Sequence, residues 1–201
     1  MIGYSGGSAQ GSFRKPYIVG LGGTARPNSS SEQALAMALG HAASLGAATA
    51  MFCGSDLMLP LYAPEGAELD ANAQRLVDGL RRADGVILSS PCYHGAVSGL
   101  VKNALDYTEE MRNDPRVYFD GLAIGCIGCG YGSQGPVMVL AQLRCIAHAL
   151  RGWPAPLGVA INSALVKFDH GRCSDVASQL AVMAVQVLDH AARRVATNPT
   201  S

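Results

Sequence analysis

Four hydroxyl side chains and one arginine lie within eight residues near the start of the chain. They are Thr24, Ser29, Ser30, Ser31 and Arg26. An apolar, strand-like stretch with glycines, residues 17–22, precedes them, and a long run rich in Ala, Leu and Met follows. A strand, a glycine turn and a helix start direct free N–H groups and the positive end of the helix dipole at one point. These residues therefore predict a phosphate site, with hydroxyls donating to the phosphate oxygens and the guanidinium balancing its charge.

The number of hydroxyls indicates which phosphate is bound. A terminal monoester carries nearly two charges and three acceptor oxygens, so the cluster favours FMN over NAD. The Gly-Lys-Ser/Thr spacing of a nucleotide-hydrolysing P-loop is absent, which disfavours ATP or GTP chemistry. Residues 20–25 also fit the relaxed dinucleotide pattern Gly-x-Gly-x-x-Ala. A dehydrogenase that binds NAD, with Asp56 on the ribose, therefore stays open.

A purely structural alternative exists for the same stretch. Ser29 is a good N-cap, and Glu32, three residues later, would complete a capping box. Capping explains neither Arg26 nor the additional hydroxyls, and both interpretations can hold together.

The amino-acid composition excludes some classes of function and favours others. Of 201 residues, 49% are hydrophobic and 15% are charged, with 15 basic residues against 15 acidic ones. This balance disfavours nucleic-acid binding and an acidic electron-carrier surface, and the scarcity of charge favours oligomer interfaces. No run is long enough to cross a membrane, and residues 1–16 lack the apolar region of a signal peptide. Six cysteines in mostly apolar stretches resemble reduced core thiols, which predicts a cytoplasmic protein.

Five strands alternating with five helices are predicted between residues 17 and 196, as one domain flanked by tails at 1–16 and 197–201. This alternation indicates a parallel sheet with helices on both faces. The predicted strands are 17–22, 47–53, 85–90, 121–128 and 156–161, and the predicted helices are 29–45, 70–83, 99–112, 135–150 and 174–195.

Three unusual loops follow predicted strands one, three and four. Because ligands bind at the carboxyl ends of parallel strands, near the topological switch point, these loops are expected to meet. The first would hold phosphate, and the other two a flat ring system. Tyr93 and Tyr131 are candidate stacking partners there, and glycine amides are candidate donors to ring heteroatoms.

Two long motifs and one short one resemble a known family. Residues 23–31, Gly-Thr-Ala-Arg-Pro-Asn-Ser-Ser-Ser, are similar to the phosphate loop of NAD(P)H-dependent FMN reductases. Residues 91–106 resemble that family's second signature, and residues 128–132 its third loop. The resemblance covers about residues 17–165 and implies a flavodoxin-like three-layer sandwich, with a five-stranded parallel sheet in the order 2-1-3-4-5.

The resemblance also implies site residues and chemistry. FMN phosphate would bind Thr24, Arg26, Ser29, Ser30 and Ser31, and the isoalloxazine would lie against Pro91, Cys92, Tyr93, His94 and Gly95 and against Cys129, Gly130, Tyr131 and Gly132. NADPH or NADH would deliver hydride to flavin N5 without a catalytic acid–base residue. Electrons would pass to free flavin, to a monooxygenase partner, or to a quinone, azo or metal acceptor. A homodimer or homotetramer is implied.

Other classes remain as alternatives. A flavodoxin-type carrier would show no NAD(P)H turnover, and a non-catalytic binding protein would take up no flavin. Cys126-x-x-Cys129 could be a redox pair or half of a zinc site, but no second pair has ligand spacing, so no metal is predicted. Lys102 and Asp106 are spaced as a helical ion pair.

Overall fold

A computed structural model describes residues 14–64, 69–169 and 173–197. Most of the two predicted tails, residues 1–13 and 198–201, lies outside the described residues. The predicted domain boundaries therefore stay predictions. No helix in the described ranges is long and apolar enough to cross a membrane.

Strands and helices alternate as predicted, with two short strands in addition. The strands are β1 Tyr17–Gly22, β2 Ala48–Phe52, β3 Gly85–Tyr93, β4 Ala96–Val97, β5 Ala123–Gly130, β6 Trp153–Pro154 and β7 Val159–Asn162. The helices are α1 Ser30–Ser44, α2 Ala71–Arg82, α3 Gly99–Asp106, α4 Gln134–Ala149 and α5 Ser174–Thr197, with 3₁₀ turns at Gly54–Leu57 and Tyr107–Met111.

The sheet runs in the order β2-β1-β3-β5-β6, and these neighbours are parallel. This confirms the predicted order, with one change at the last position. The expected fifth strand, 156–161, is two short strands, β6 and β7, which both pair with β5. Pro156 lies between them, and proline has no N–H to donate to a sheet.

Two other boundaries differ from the predictions. Strand β3 continues through Pro91 to Tyr93 instead of ending at residue 90. Proline lacks the N–H that a central strand donates to a neighbour. Strand β3 tolerates it at residue 91 because β1 ends opposite Ser89, so that residue 91 pairs with β5 alone. Helix α3 turns into a 3₁₀ turn after Asp106, where the Thr108 hydroxyl bonds the Leu105 carbonyl at 2.7 Å.

Two hydrophobic clusters cover the two faces of the sheet. Val86 and Leu88 of β3 belong to the cluster formed with α2, α3 and α4. Ile87 belongs to the opposite cluster, with α1 and α5. Successive strand residues point to opposite faces, so both faces of β3 are buried, as expected of a parallel sheet covered by helices.

Candidate functional site

The first loop leaves β1 in close contact with β3. The N–H of Gly23 donates to the carbonyl of Ser89 at 3.1 Å. A Cβ on Gly22 would lie 2.0 Å from the same carbonyl oxygen, so only glycine fits there. The contact anchors the phosphate-loop candidate to the next strand of the sheet.

Thr24 shapes the turn that displays Arg26. The buried Thr24 hydroxyl accepts from the Arg26 N–H at 3.0 Å and donates to the Arg26 carbonyl at 3.0 Å. The Arg26 side chain is exposed, and its guanidinium contacts no carboxylate or carbonyl among the described residues. Asn28 has a positive φ of 58°, an uncommon conformation that is concentrated at functional loops.

Serine hydroxyls lie at the start of α1. Ser29 is the N-cap, and its Oγ accepts from the Glu32 N–H at 3.3 Å and lies 3.3 Å from Ser31 Oγ. Ser29 and Ser31 are buried, and Ser30 is half-buried. Ser89 Oγ donates to the Ser31 carbonyl at 2.8 Å and so joins this helix start to β3.

The capping box predicted at Ser29 is only half formed. Among the described residues, the Glu32 carboxylate does not return to Ser29. Its Oε1 accepts from Cys53 Sγ at 3.9 Å, and its Oε2 is buried with no hydrogen-bond partner. Burial, followed by the charges of Glu32 and Asp56, raises the pKa of the Cys53 thiol to about 11.

The second loop is a tight β-hairpin, which the sequence did not predict. Tyr93 on β3 pairs with Ala96 on β4, and only His94 and Gly95 lie between them. Both have positive φ values, 52° and 81°, as the favoured two-residue hairpin turn requires. The dipeptide His-Gly between two strand-forming stretches was the available signal.

One side chain from α4 and one from β3 itself hold this hairpin in place. Gln142 of α4 donates through Nε2 to the Gly95 carbonyl at 2.8 Å and accepts from the Val97 N–H at 3.0 Å. The buried Ser90 hydroxyl accepts from the Ser98 N–H at 3.0 Å. Neither Gln142 nor Ser90 was singled out by the sequence.

The third loop, residues 130–133, follows β5. Asn162 Oδ1 accepts from the Gly132 N–H at 3.0 Å, and the Ser163 N–H donates to the Gly130 carbonyl at 2.8 Å. Tyr131 is 79% exposed and Tyr93 is 54% exposed. Two aromatic rings are therefore presented to solvent beside the two later loops.

All three loops lie at the same edge of the sheet. Strands β1, β3 and β5 are neighbours. After β1 the chain continues to β2 on one side of the pair β1 and β3, and after β3 it continues to β5 on the other side. The topological switch point therefore lies between β1 and β3. A Cβ on Gly130 would lie 2.9 Å from Cys92 Cβ, so the second and third loops also touch. The predicted residues come together here: Thr24, Arg26, Ser29, Ser30, Ser31, Pro91, Cys92, Tyr93, His94, Gly95, Cys129, Gly130, Tyr131 and Gly132.

Residues 16–165 match the family model described as NADPH-dependent FMN reductase. The chain belongs to this family. The matched range contains all three loops, which confirms the resemblance drawn from the motifs.

The individual proteins that are similar to this FMN reductase family member are also described as flavin-dependent oxidoreductases. The chain is 36% identical over 101 residues to an FMN-dependent NADPH-azoreductase of Staphylococcus aureus, in an alignment covering 49% of each protein. It therefore spans about half the length of the curated relatives it matches. A solved NADH:FMN oxidoreductase in its apo form has a TM-score of 0.69 at 23% identity, covering 92% of this chain and 93% of that one. FerB from Paracoccus denitrificans, a flavoenzyme NAD(P)H:(acceptor) oxidoreductase, has a TM-score of 0.69 at 19% identity, with 89% and 98% covered. These structures show the flavodoxin-like fold.

Three cysteines of this family member, Cys92, Cys126 and Cys129, are placed as packing residues. A Cβ on Gly135 would lie 2.9 Å from Cys92 Sγ, so the Cys92 side chain points at α4. Cys126 and Cys129 belong to the clusters on opposite faces of the sheet, and burial raises the pKa of each thiol to about 12. Opposite faces exclude both a disulfide and a shared metal between them. No group of three or more potential metal ligands occurs in the described parts of the chain.

Two other pairs considered in the sequence have ordinary partners. Asp56, the candidate ribose ligand of a dehydrogenase, forms an ion pair with Arg75 at 3.3 Å. Lys102 and Asp106 form the expected exposed i,i+4 pair at 2.6 Å. In this FMN reductase family member, Arg26 of the first loop has no such partner among the described residues.

Proposed function

We propose that this chain is an NAD(P)H oxidoreductase that holds FMN at the carboxyl edge of its sheet. One observation carries the proposal. The exposed Arg26 guanidinium has no partner among the described residues and belongs to the same loop as the capped start of α1. A cation left free beside hydroxyls and helix N–H groups fits the doubly charged phosphate of FMN.

The phosphate end would be held by groups that the fold has already oriented. Ser89 fixes the loop and the start of α1 to β3, and Thr24 fixes the turn at Arg26. The helix start supplies N–H donors, and the hydroxyls of Ser29 and Ser31 lie beside them. Since these groups are positioned before binding, little conformational entropy is lost when phosphate arrives.

The ring end would be held by the hairpin and the third loop. The hairpin offers backbone N–H groups at His94 and Gly95, and Tyr93 and Tyr131 offer exposed aromatic faces. Cys92 would contact the ring through its backbone, because its side chain packs against Gly135. Cys129 would do the same, because its side chain is buried.

Bound FMN would accept hydride from NADPH or NADH and pass electrons to an acceptor. The chain would supply position and backbone donors, so no acid–base dyad is needed. The curated relatives are named azoreductases, which favours a small-molecule azo compound as acceptor over free flavin, a quinone, a metal acceptor or a monooxygenase partner.

We propose two further properties. Exposed apolar side chains in the segment between β2 and α2, Met58 at 62% and Leu61 at 87%, support assembly into a dimer or tetramer. Free thiols at all six cysteines support a reducing compartment, the cytoplasm.

The test measures FMN binding and NAD(P)H oxidation by purified protein. Arg26→Gln should weaken FMN binding about tenfold to 150-fold, the loss of one hydrogen bond to a charged group. Arg193→Gln is the matched control, because Arg193 is an exposed arginine on α5, far along the chain from all three loops. Equal FMN affinity in the two variants would remove the phosphate assignment.

The same preparation separates the rival classes. A yellow protein that oxidises NADPH or NADH steadily in the presence of an azo dye supports the proposal. FMN uptake without turnover would indicate a flavodoxin-type carrier. NADH binding without any flavin spectrum would indicate a dehydrogenase.

A further inference from the structure

A cavity lies at the amino edge of the sheet, opposite the candidate flavin site. Its volume is about 800 Å³, within the range of small-molecule sites. It is bounded by the starts of β1 and β2, the segment joining α2 to β3, and the ends of α2 and α5.

The charge of this cavity contrasts with that of the whole protein. Five arginines and two aspartates line it. The complete chain has 15 basic and 15 acidic residues, so a third of its basic residues lie around one concave surface. A concave surface that carries charges of one sign on low-dielectric walls concentrates their electrostatic field and attracts ions of opposite charge.

Both aspartates already have arginine partners. Asp84 accepts from Arg14 through two bonds, 2.6 Å and 2.9 Å, and also accepts from the Tyr17 N–H at 2.8 Å. Asp114 accepts from Arg81 Nε at 2.8 Å. The pairs neutralise two of the five arginines and leave three positive charges.

Arg82, Arg116 and Arg194 have no carboxylate within ion-pair distance in the described part of the chain. Arg82 lies 5.5 Å from the centre of the Tyr17 ring. Arg116 donates through Nη2 to the carbonyls of Leu80 at 2.7 Å and Arg81 at 2.8 Å, at the end of α2, and through Nη1 to the Tyr118 carbonyl at 2.5 Å.

Arg116 and Arg194 face the same space as like charges. Burial, and next the charge of Arg194, lowers the pKa of Arg116 to about 10. Arg194 is half-buried, and its guanidinium has no hydrogen-bond acceptor among the described residues. Two partly desolvated guanidiniums without an anion between them are costly, and an anion in the cavity would remove that cost.

We propose that this cavity binds a phosphorylated small molecule of nucleotide size, with its phosphates between Arg116 and Arg194. The Arg194 guanidinium, which has no acceptor among the described residues, can donate two parallel hydrogen bonds to a phosphate, whereas Arg116, held by three backbone carbonyls, mainly contributes its charge. Three uncompensated charges match a diphosphate better than a monoester. Tyr17, Ala48 and Pro115 supply apolar wall for the organic part of the molecule.

This site is separate from the candidate flavin site. Tyr17 begins β1 and Gly22 ends it, and six strand residues span about 20 Å. Binding here therefore does not depend on the proposed FMN chemistry. The concave shape and the zero net charge of the chain favour a small molecule over a nucleic acid.

The experiment is calorimetric titration of ADP, AMP and pyrophosphate into the full chain saturated with FMN, so that the first loop is already filled. We expect ADP to bind with a Kd below about 1 mM, and AMP to bind more weakly. Tight pyrophosphate binding would assign the affinity to the phosphates alone, whereas a preference for ADP would add the organic part.

Arg194→Gln is the decisive variant, because the Arg194 side chain makes no hydrogen bond to the described residues whose loss would unfold the chain. It should weaken ADP binding about tenfold or more, with FMN affinity unchanged. Arg193→Gln, at the next position on α5, is the matched control and should remain within twofold of the unchanged protein. The proposal is overturned if ADP gives no binding heat, if both variants lose affinity equally, if ADP binds only when FMN is omitted, or if an oligonucleotide binds more tightly than ADP.

Discussion

Replacing Gln142 tests whether the hairpin at His94 and Gly95 depends on α4. Gln142→Met keeps the length of the side chain and removes both its donor and its acceptor. Two hydrogen bonds are lost, to the Gly95 carbonyl and from the Val97 N–H. The hairpin keeps the short β3–β4 pairing and the bond from the Ser98 N–H to the Ser90 hydroxyl, and two-stranded hairpins are marginally stable alone in water.

The magnitude follows from these two bonds. A neutral hydrogen bond contributes about 1 kcal/mol net, so the loss is about 2 kcal/mol. In a chain of this length, each kcal/mol shifts Tm by about 2–4 °C, so Tm should fall by about 4–8 °C. If the hairpin opens locally instead, the global transition moves less and only the hairpin amides become less protected.

Urea unfolding and amide hydrogen exchange distinguish these outcomes. The Val97 amide should exchange faster in Gln142→Met, by about tenfold for each 1.4 kcal/mol lost. FMN affinity should fall as well, since the hairpin presents backbone donors to the proposed ring site. Gln179→Met, the same change at an exposed position of α5, is the control. An unchanged urea midpoint together with an unchanged Val97 exchange rate would refute the reasoning.

Two further predictions concern backbone space and pH. Gly22→Ala places a Cβ 2.0 Å from the Ser89 carbonyl oxygen, so it should prevent folding or lower the free energy of unfolding by several kcal/mol. Gly40→Ala is the control, because a Cβ at this position on the surface of α1 meets open space. It should raise the free energy of unfolding in urea by about 0.5–1 kcal/mol. The pKa of Cys53 is raised by burial from 9.0 to about 11. As pH rises, the unfolded chain loses the Cys53 thiol proton before the folded chain does. The stability contributed by the protonated thiol is therefore fully present below pH 9 and is lost as pH rises through 11. Cys53→Ser should remove this alkaline decrease in stability, because serine has no proton to lose in this pH range, and parallel pH curves for the two proteins would contradict the assignment.

Local sequence signals were sufficient for most of the fold. Apolar runs bounded by glycine identified the strands, because a parallel sheet buried on both faces requires such runs. Ser29 was predicted as an N-cap, and it accepts an N–H bond from the first turn of its helix, as Asp70 and Ser98 do at theirs. Caps are predictable because the side chain and the N–H group are only three residues apart.

Contacts between distant parts of the chain could not be predicted in this way. Gln142 contacts the hairpin from 45 and 47 positions away, and Ser89 contacts Ser31 from 58 positions away. Periodicity describes which face of an element is buried, and it carries no information about the partner of one polar side chain. The opposite orientation of Cys126 and Cys129, by contrast, follows from their odd spacing on a strand, once β5 is known to contain both.

The distribution of charge gives the two edges of the sheet different chemistry. At the carboxyl edge, each loop is secured by a neutral side chain from another element: the first by Ser89, the hairpin by Gln142 and the third by Asn162. Neutral anchors leave the charge of Arg26 uncompensated, so it is available to an anionic ligand. At the amino edge, the arginines exceed the aspartates that line the same cavity. A fold with balanced total charge can therefore offer two separate anion sites, because local pairing determines which cations remain free.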